Sequence, residues 1–304
     1  MVQNMSLKDF IFSHNSYVNS FFRYVRAYKN WPSIIINHVR KCYPITAIKK
    51  DGKKIIIKTP LELYTNSLGN LNFKINEKDK LITVFPKQFP NGLKFFTNLN
   101  FGGIFGYFID DQYKSISFKN KTVIDVGAFI ADSSIYFATK GAKKVIALEP
   151  LPQNFDLARK NICENNFSNI IELDLAACGS HDSTIYVNPN EKSSHQVNIK
   201  LFDSGVEIPV ISLKKLVHQH KDNKLFLKLN CEGCEYDIIL NSSNEVLQHF
   251  ELLIIEYHYG YSNIKKKLEG AGFKLKIIPP NFCYNPAADN SKMYIGMIFA
   301  EKKA

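Results

Sequence analysis

The chain has 304 residues, 45% hydrophobic and 22% charged, which excludes disordered and fibrous classes and predicts two domains, or one large domain with an extension. No apolar run approaches the roughly 18 residues that span a bilayer, and the amino terminus lacks a secretory cleavage signature, so the expectation is a cytoplasmic protein without a transmembrane segment. The formal charge of +11 is uneven: residues 1–120 hold 18 Lys+Arg against 7 Asp+Glu, while residues 121–304 hold 21 of each, so the leading region either attracts a polyanion or is a solvated, lysine-coated surface.

Residues 7–40 read as helical, with Phe10, Val18, Phe21, Phe22, Val25 and Ile34 spaced by polar residues. Trp31-Pro32 divides this stretch into two helices, because proline suits a first helical turn and disfavours helix in the residue before it. Residues 45–57 place two β-rich runs around Asp51-Gly52, a hairpin signature. Residues 60–118, where Gly and Asn punctuate short apolar pieces, read as irregular strands and turns. Residues 1–118 are thus expected to form a basic α+β extension.

From residue 119 strands and helices alternate. Strands fall at 123–126, 145–148, 170–175, 225–229 and 252–255, helices at 132–140, 152–165, about 235–248 and 261–270, and further extended runs at 184–187 and 206–211. Residues 119–304 are therefore expected to form an α/β domain with a doubly wound, mainly parallel sheet covered on both faces. Runs 273–278 and 293–300 have no helix between them, which predicts an antiparallel C-terminal hairpin at one edge.

Six cysteines scattered along a long chain do not read as a disulfide framework. Cys231 and Cys234 are the close pair. Without a second pair or histidines at zinc spacing, they read as small, partly buried residues beside a turn, and no metal is expected.

Ligands of an open parallel sheet sit outside the carboxyl ends of its strands. Three segments at such ends carry polar residues. In Asp125-Val126-Gly127-Ala128, Gly127 permits close backbone approach and the following helix start offers N–H groups to a carboxylate. Glu149 ends the next strand, 22 positions after Gly127, where an acidic residue accepts ribose hydroxyls in dinucleotide folds. The third segment, Leu227 to Tyr236, contains Asn230 and Glu232.

These residues resemble the FkbM family of methyltransferases. The likeness runs through Asp125-Val126-Gly127-Ala128, the stretch Gly141 to Pro150, Asn161, Glu232-Gly233-Cys234-Glu235, Ile255-Glu256-Tyr257-His258 and Gly272-Phe273, collinear over about residues 105–300. Gly106-Tyr107-Phe108 to Tyr113 is similar to the family's lead-in segment. The resemblance implies a class I methyltransferase (Rossmann-like) fold and S-adenosylmethionine as cofactor, with Asp125, Gly127, Ala128 and Glu149 binding it. It also implies O-methylation of a sugar, glycan or other small-molecule hydroxyl.

Two departures stand out. Phe129 and Ala131 occupy places where the family's loop is usually glycine-rich with a polar residue, and Asn230 stands where relatives usually carry Asp. An amide cannot take a hydroxyl proton, so the catalytic candidates are Glu232 or His258 as base, with Asn230 orienting the acceptor. Divalent-metal help from Glu232 or Glu256 is a further option. The structural alternatives are that Glu232 bonds turn amides, Glu256 caps strand-end donors, and His258 is a satisfied buried histidine. Residues 181–205, with Ser193-Ser194-His195, are candidates for part of an acceptor pocket. Two other readings compete: a nucleic-acid methyltransferase steered by the basic leading region, and a non-catalytic protein that keeps the fold and pocket.

Overall fold

Local signals build the leading part of the chain in the computed structural model, which describes residues 16–68, 73–76, 78–97, 102–188, 205–220, 224–284 and 292–303. Helices α1 (Ser16–Ala27) and α2 (Trp31–Val39) are separate, and Pro32 lies in the first turn of α2, where its missing N–H costs nothing. Residues 7–15 of the expected first helix lie outside the described residues. Strands β1 (Ile45–Ile48) and β2 (Lys54–Ile57) form the expected antiparallel hairpin, with Ile45 opposite Ile57. A third helix, α3 (Pro60–Ser67), replaces the irregular structure expected from residue 60. Thr59 Oγ1 accepts the Glu62 N–H at 3.1 Å, and the Glu62 carboxylate accepts the Lys58 N–H at 2.6 Å. That reciprocal capping, with proline in the first turn, starts a helix. Tyr24, Tyr28, Ile34, Ile45, Ala47, Ile57 and Leu63 form the core of this compact unit, which spans Met1–Asn72.

The second unit, Phe73–Ala304, starts with an antiparallel sheet of β3 (Phe73–Asn76), β4 (Leu81–Val84) and β5 (Leu93–Phe96), followed by α4 (Gly102–Phe108). Next come β6 (Thr122–Val126), α5 (Asp132–Thr139), β7 (Lys144–Leu148), α6 (Pro152–Glu164) and β8 (Ile171–Asp174). A small sheet of β9 (Ala177–Gly179), β10 (Ser183–Val187) and β11 (Val206–Ser212) comes after them, then α7 (Leu213–His220) and β12 (Leu225–Leu229). The chain ends with α8 (Cys234–Asn241), α9 (Asn244–Leu247), β13 (Phe250–Tyr257), α10 (Ser262–Gly270), β14 (Phe273–Tyr284) and β15 (Lys292–Lys302).

The division into units falls between residues 72 and 73, ahead of the 118/119 boundary expected from the sequence. One tie explains why β5 belongs to the second unit: Asn161 on α6 accepts the Phe96 N–H at 2.7 Å and donates to the Phe96 carbonyl at 3.0 Å. The single helix expected at about 235–248 is two. Ser242 turns extended (φ −69°, ψ 141°), and Ser243 caps α9 by accepting the Val246 N–H at 3.2 Å.

Among the described residues, the main sheet has seven strands in the order β14-β15-β13-β12-β6-β7-β8. Every pairing is parallel except those of β15, which is antiparallel to both β13 and β14. This is the doubly wound class I methyltransferase sheet, with the expected hairpin at one edge. All residues of β6 and β12 are buried, as strands covered on both faces require. From β6 the chain steps to β7 on one side and later returns as β12 on the other. That reversal opens a crevice at the carboxyl ends of β6, β7 and β12. Among the described residues, no helix is long and apolar enough to cross a membrane.

Candidate active site

Under the crevice lies a buried ion pair. Parallel register sets Asp125 on β6 beside Lys228 on β12, both buried. Lys228 Nζ lies 2.9 Å from Asp125 Oδ1 and donates to the Gly127 carbonyl at 2.9 Å. Asp125 Oδ2 accepts the hydroxyls of Ser133 and Ser134 at 2.6 and 2.7 Å. Asp125 therefore ties together two strand ends and the start of α5 from beneath the cleft, where a charge must be matched inside the protein.

The β6–α5 loop owes Gly127 to a crossing of two turns. Gly127 has φ +75°, and a Cβ there would lie 1.9 Å from the Asn230 carbonyl oxygen. The N–H groups of Gly127 and Ala128 both donate to the Leu148 carbonyl at 3.0 Å. Phe129 (φ +52°) and Ala131 (φ +64°) are left-handed, so the loop keeps a backbone that glycine adopts without strain. The expectation that the start of α5 receives a ligand carboxylate is corrected. Asp132 is buried there, and its own Oδ1 accepts the Ser133 N–H at 2.9 Å. Burial raises its pKa to about 6, against the pull of Lys228. Gly103 on α4 makes room for it, since a Cβ there would lie 2.0 Å from Asp132 Oδ2.

Glu149 ends β7, buried but on the cleft wall. Its Oε2 accepts the Phe129 N–H at 2.9 Å, and its Oε1 accepts the Leu151 N–H at 3.0 Å and Asn154 Nδ2 at 3.1 Å. Burial raises its pKa to about 7, although these donors favour the carboxylate. A carboxylate has about four acceptor positions, so three donors leave room for another. The cleft is open to solvent; Phe129, Leu151, Ala177 and Cys178 give it apolar wall, and Asp132, Lys228, Asn230 and Glu232 give it polar groups.

The third segment is held by a residue without an assigned role in the sequence reading. Glu235, in the first turn of α8, is fully buried. Its Oε1 accepts the Cys231 N–H and its Oε2 the Gly233 N–H, each at 2.8 Å. Glu235, rather than Glu232, bonds the turn amides. Glu232 lines the cleft, while His258, 1% exposed, lies behind it. Its Nε2 is 3.4 Å from Glu232 Oε2 and 3.8 Å from Glu256 Oε1, and its Nδ1 is 3.2 Å from Glu235 Oε1. Burial alone would depress this imidazole, but Glu232 and Glu235 outweigh it and raise the pKa to about 10. Burial raises the Glu256 carboxyl, and His258 opposes that. The Asn230 side-chain oxygen is buried and finds no hydrogen-bond partner among the described residues. Cys231 and Cys234, expected only as small, partly buried residues beside the turn, are joined in a disulfide. Among the described residues, no group of three or more His, Cys, Asp or Glu is arranged to hold a metal ion.

The structure thus gathers Gly127, Glu149, Asn230 and Glu232 around one cleft and sets Asp125, Ala128 and His258 behind its wall. Sequence reasoning missed Asp132, Lys228 and Glu235. Lys228 had a signal, being a charge inside the otherwise apolar run Leu225-Phe226-Leu227-Lys228-Leu229. Of the candidate acceptor segment, residues 189–204 lie outside the described residues.

Residues 125–275 match the family described as the methyltransferase FkbM domain. Among solved structures, the chain is similar to methyltransferase FkbM from Methylobacillus flagellatus KT, at 12% identity and a TM-score of 0.42, covering 93% of this chain and 58% of that one. It is similar to the tRNA m1G37 methyltransferase of M. jannaschii at 14% identity and a TM-score of 0.41, covering 75% and 59%. A third likeness is to precorrin-6y C5,15-methyltransferase from Geobacter metallireducens GS-15, at 14% identity and a TM-score of 0.35, covering 60% and 82%. No curated protein matches the chain.

Proposed function

We propose that this chain, whose residues 125–275 match the methyltransferase FkbM domain, methylates a hydroxyl of a sugar, glycan or other small molecule, with S-adenosylmethionine as donor. The residues present fit that cofactor. Glu149 has an acceptor position left for a ribose hydroxyl, beside apolar wall from Leu151, Ala177 and Cys178 that suits an adenine. Asp132 offers a buried carboxylate to an α-ammonium, and Gly127 keeps the loop close to the cleft. Asp125 and Ala128 support this loop from below.

When bound, the cofactor supplies an electrophilic methyl on a sulfonium. The chain's own residues then have to orient the acceptor hydroxyl and remove its proton. Glu232 is the carboxylate on the cleft wall suited to take it. His258, held protonated at neutral pH by its carboxylate neighbours, positions Glu232 instead of acting as the base. Asn230 turns its unpartnered amide oxygen to an acceptor hydroxyl.

The observation that carries this reading is Glu149, buried at the tip of β7 yet open to the cleft. Calorimetry with S-adenosylhomocysteine tests it: the protein binds, and Glu149→Gln weakens binding about tenfold, the loss of one charge-assisted hydrogen bond. No binding by the native chain would reject the cofactor assignment. With labelled S-adenosylmethionine and a panel of glycans and hydroxylated small molecules, Glu232→Gln lowers kcat about a hundredfold and spares cofactor affinity. Asn230 favours one second reading, a cofactor binder without transfer; that protein would bind S-adenosylhomocysteine and methylate nothing in the panel.

A further inference from the structure

Cys231 and Cys234 bracket a four-residue turn, and their disulfide closes it. Both line the cleft, as does Glu232 between them. The turn is not one that a free chain favours. Glu232 has φ +58°, a left-handed backbone that is strained for a residue other than glycine. Two devices hold it there: the Glu235 carboxylate on the amides of Cys231 and Gly233, and the covalent closure.

The surroundings of the pair pull a thiolate in two directions. A reactive cysteine pair needs a stabilised thiolate, often from free N–H groups at a helix start. Here the Cys231 and Gly233 N–H groups are bonded to Glu235, and the carboxylates of Glu232 and Glu235 lie within the same five residues. Cys234, which opens α8, and the protonated His258 beside Glu232 favour one.

We propose that the Cys231–Cys234 disulfide is a positioning device for Glu232, so that methyl transfer depends on the redox state of the turn. Closed, it holds Glu232 against His258 and toward the cleft; opened, it lets the turn relax, and Glu232 leaves its place. This inference rests on the assignment of Glu232 as proton acceptor. The chemistry is ordinary thiol–disulfide exchange. An external thiolate attacks one sulfur and forms a mixed disulfide. A second external thiol then releases it, leaving two protein thiols and one external disulfide. Glutathione disulfide runs the sequence in reverse, its disulfide being reduced as the protein's forms.

The full chain is equilibrated in oxidised and reduced glutathione buffers, with the pair's state read by alkylation and mass spectrometry. In the reduced chain, and in the Cys231→Ser/Cys234→Ser variant, amide exchange at residues 232 and 233 should rise about tenfold while strand β12 is unchanged. The His258 titration midpoint, read by NMR, should fall as Glu232 withdraws, with Glu235 and Glu256 remaining. S-adenosylhomocysteine affinity should hold, and in the transfer assay kcat should fall about tenfold with the cofactor KM unaltered. Equal exchange and equal His258 titration in the two states overturn the proposal, as does a pair that stays reduced in glutathione disulfide. Absence of S-adenosylhomocysteine binding in both states counts against the cofactor assignment instead, and exchange and titration still decide the lock.

Discussion

Lys228 sits in a strand of leucines and phenylalanine with Asp125 as its counter-ion, and the pair shows how a buried charge organises a site. Replacing Lys228 with Met leaves Asp125 with two hydroxyls and no cation. The expected loss is about 3–5 kcal/mol in urea denaturation, and Asp125→Asn in the same chain should recover much of it, because it is the orphaned charge that destabilises. Asp132 and Glu149 work in the opposite direction. Burial raises them to about 6 and about 7, whereas an unfolded chain releases such protons near ~4. Between those values the folded state binds more protons than the unfolded, so stability must fall as pH rises from ~4 to ~7, by at most about 3 kcal/mol for Asp132 and about 4 kcal/mol for Glu149. Asp132→Asn should remove its share of that slope when denaturation curves at pH 5 and pH 8 are compared. His258, raised to about 10 by Glu232 and Glu235 against its burial, adds stability that is complete below ~6.5 and fades as pH climbs through its folded value. Cleft carboxylates kept at this cost to the empty fold are groups a cationic, hydroxyl-bearing ligand would repay.

Turns, more than helices or strands, decide the geometry of the cleft. Gly127→Ala forces a methyl group into the Asn230 carbonyl and a left-handed backbone at once. It should destabilise by more than ~3 kcal/mol and lower the melting temperature accordingly, whereas Ala at an exposed glycine with ordinary φ is close to neutral. The cap of α3 is a milder case: Thr59→Ala should cost about 1 kcal/mol, read as faster amide exchange over residues 60–67. The same contrast explains what the sequence revealed. Strands such as Val123–Val126 and Leu225–Leu229 were legible because strands buried on both faces must be continuously apolar, and their regular alternation with helices dictated the sheet. The position of Glu149 was legible because an acidic residue closes the second strand of the parallel sheet, 22 positions after Gly127. The stretch from 60 to 118 was misread where Thr59-Pro60-Leu61-Glu62, a capping signature, was passed over for nearby Asn and Gly. The roles of Lys228 and Asp132 were hidden because they depend on which strand becomes a neighbour, here β12 beside β6. The disulfide was hidden too, since a C-x-x-C spacing does not say whether two sulfurs face each other.

At the scale of the whole chain, charge and chemistry are segregated. The unit Met1–Asn72 carries 11 Lys+Arg against 3 Asp+Glu, and Phe73–Ala304 carries 28 against 25, while every cleft residue belongs to the second unit. The β1–β2 hairpin concentrates that charge at exposed Lys50, Lys53 and Lys54. If the excess recruits an anionic acceptor or surface, the attraction is largely counterion release, and its strength falls linearly in logarithmic salt with a slope near the number of contacts. The full chain should then be held by a heparin column, and changing those three lysines to Gln should lower the eluting salt and flatten the slope by up to about three contacts. Surface changes of this kind move stability by no more than about 0.5 kcal/mol, and S-adenosylhomocysteine affinity should not respond. Identical elution of the native and substituted chains would mean that the hairpin's lysines are solvated surface, and that acceptor choice belongs to the cleft alone.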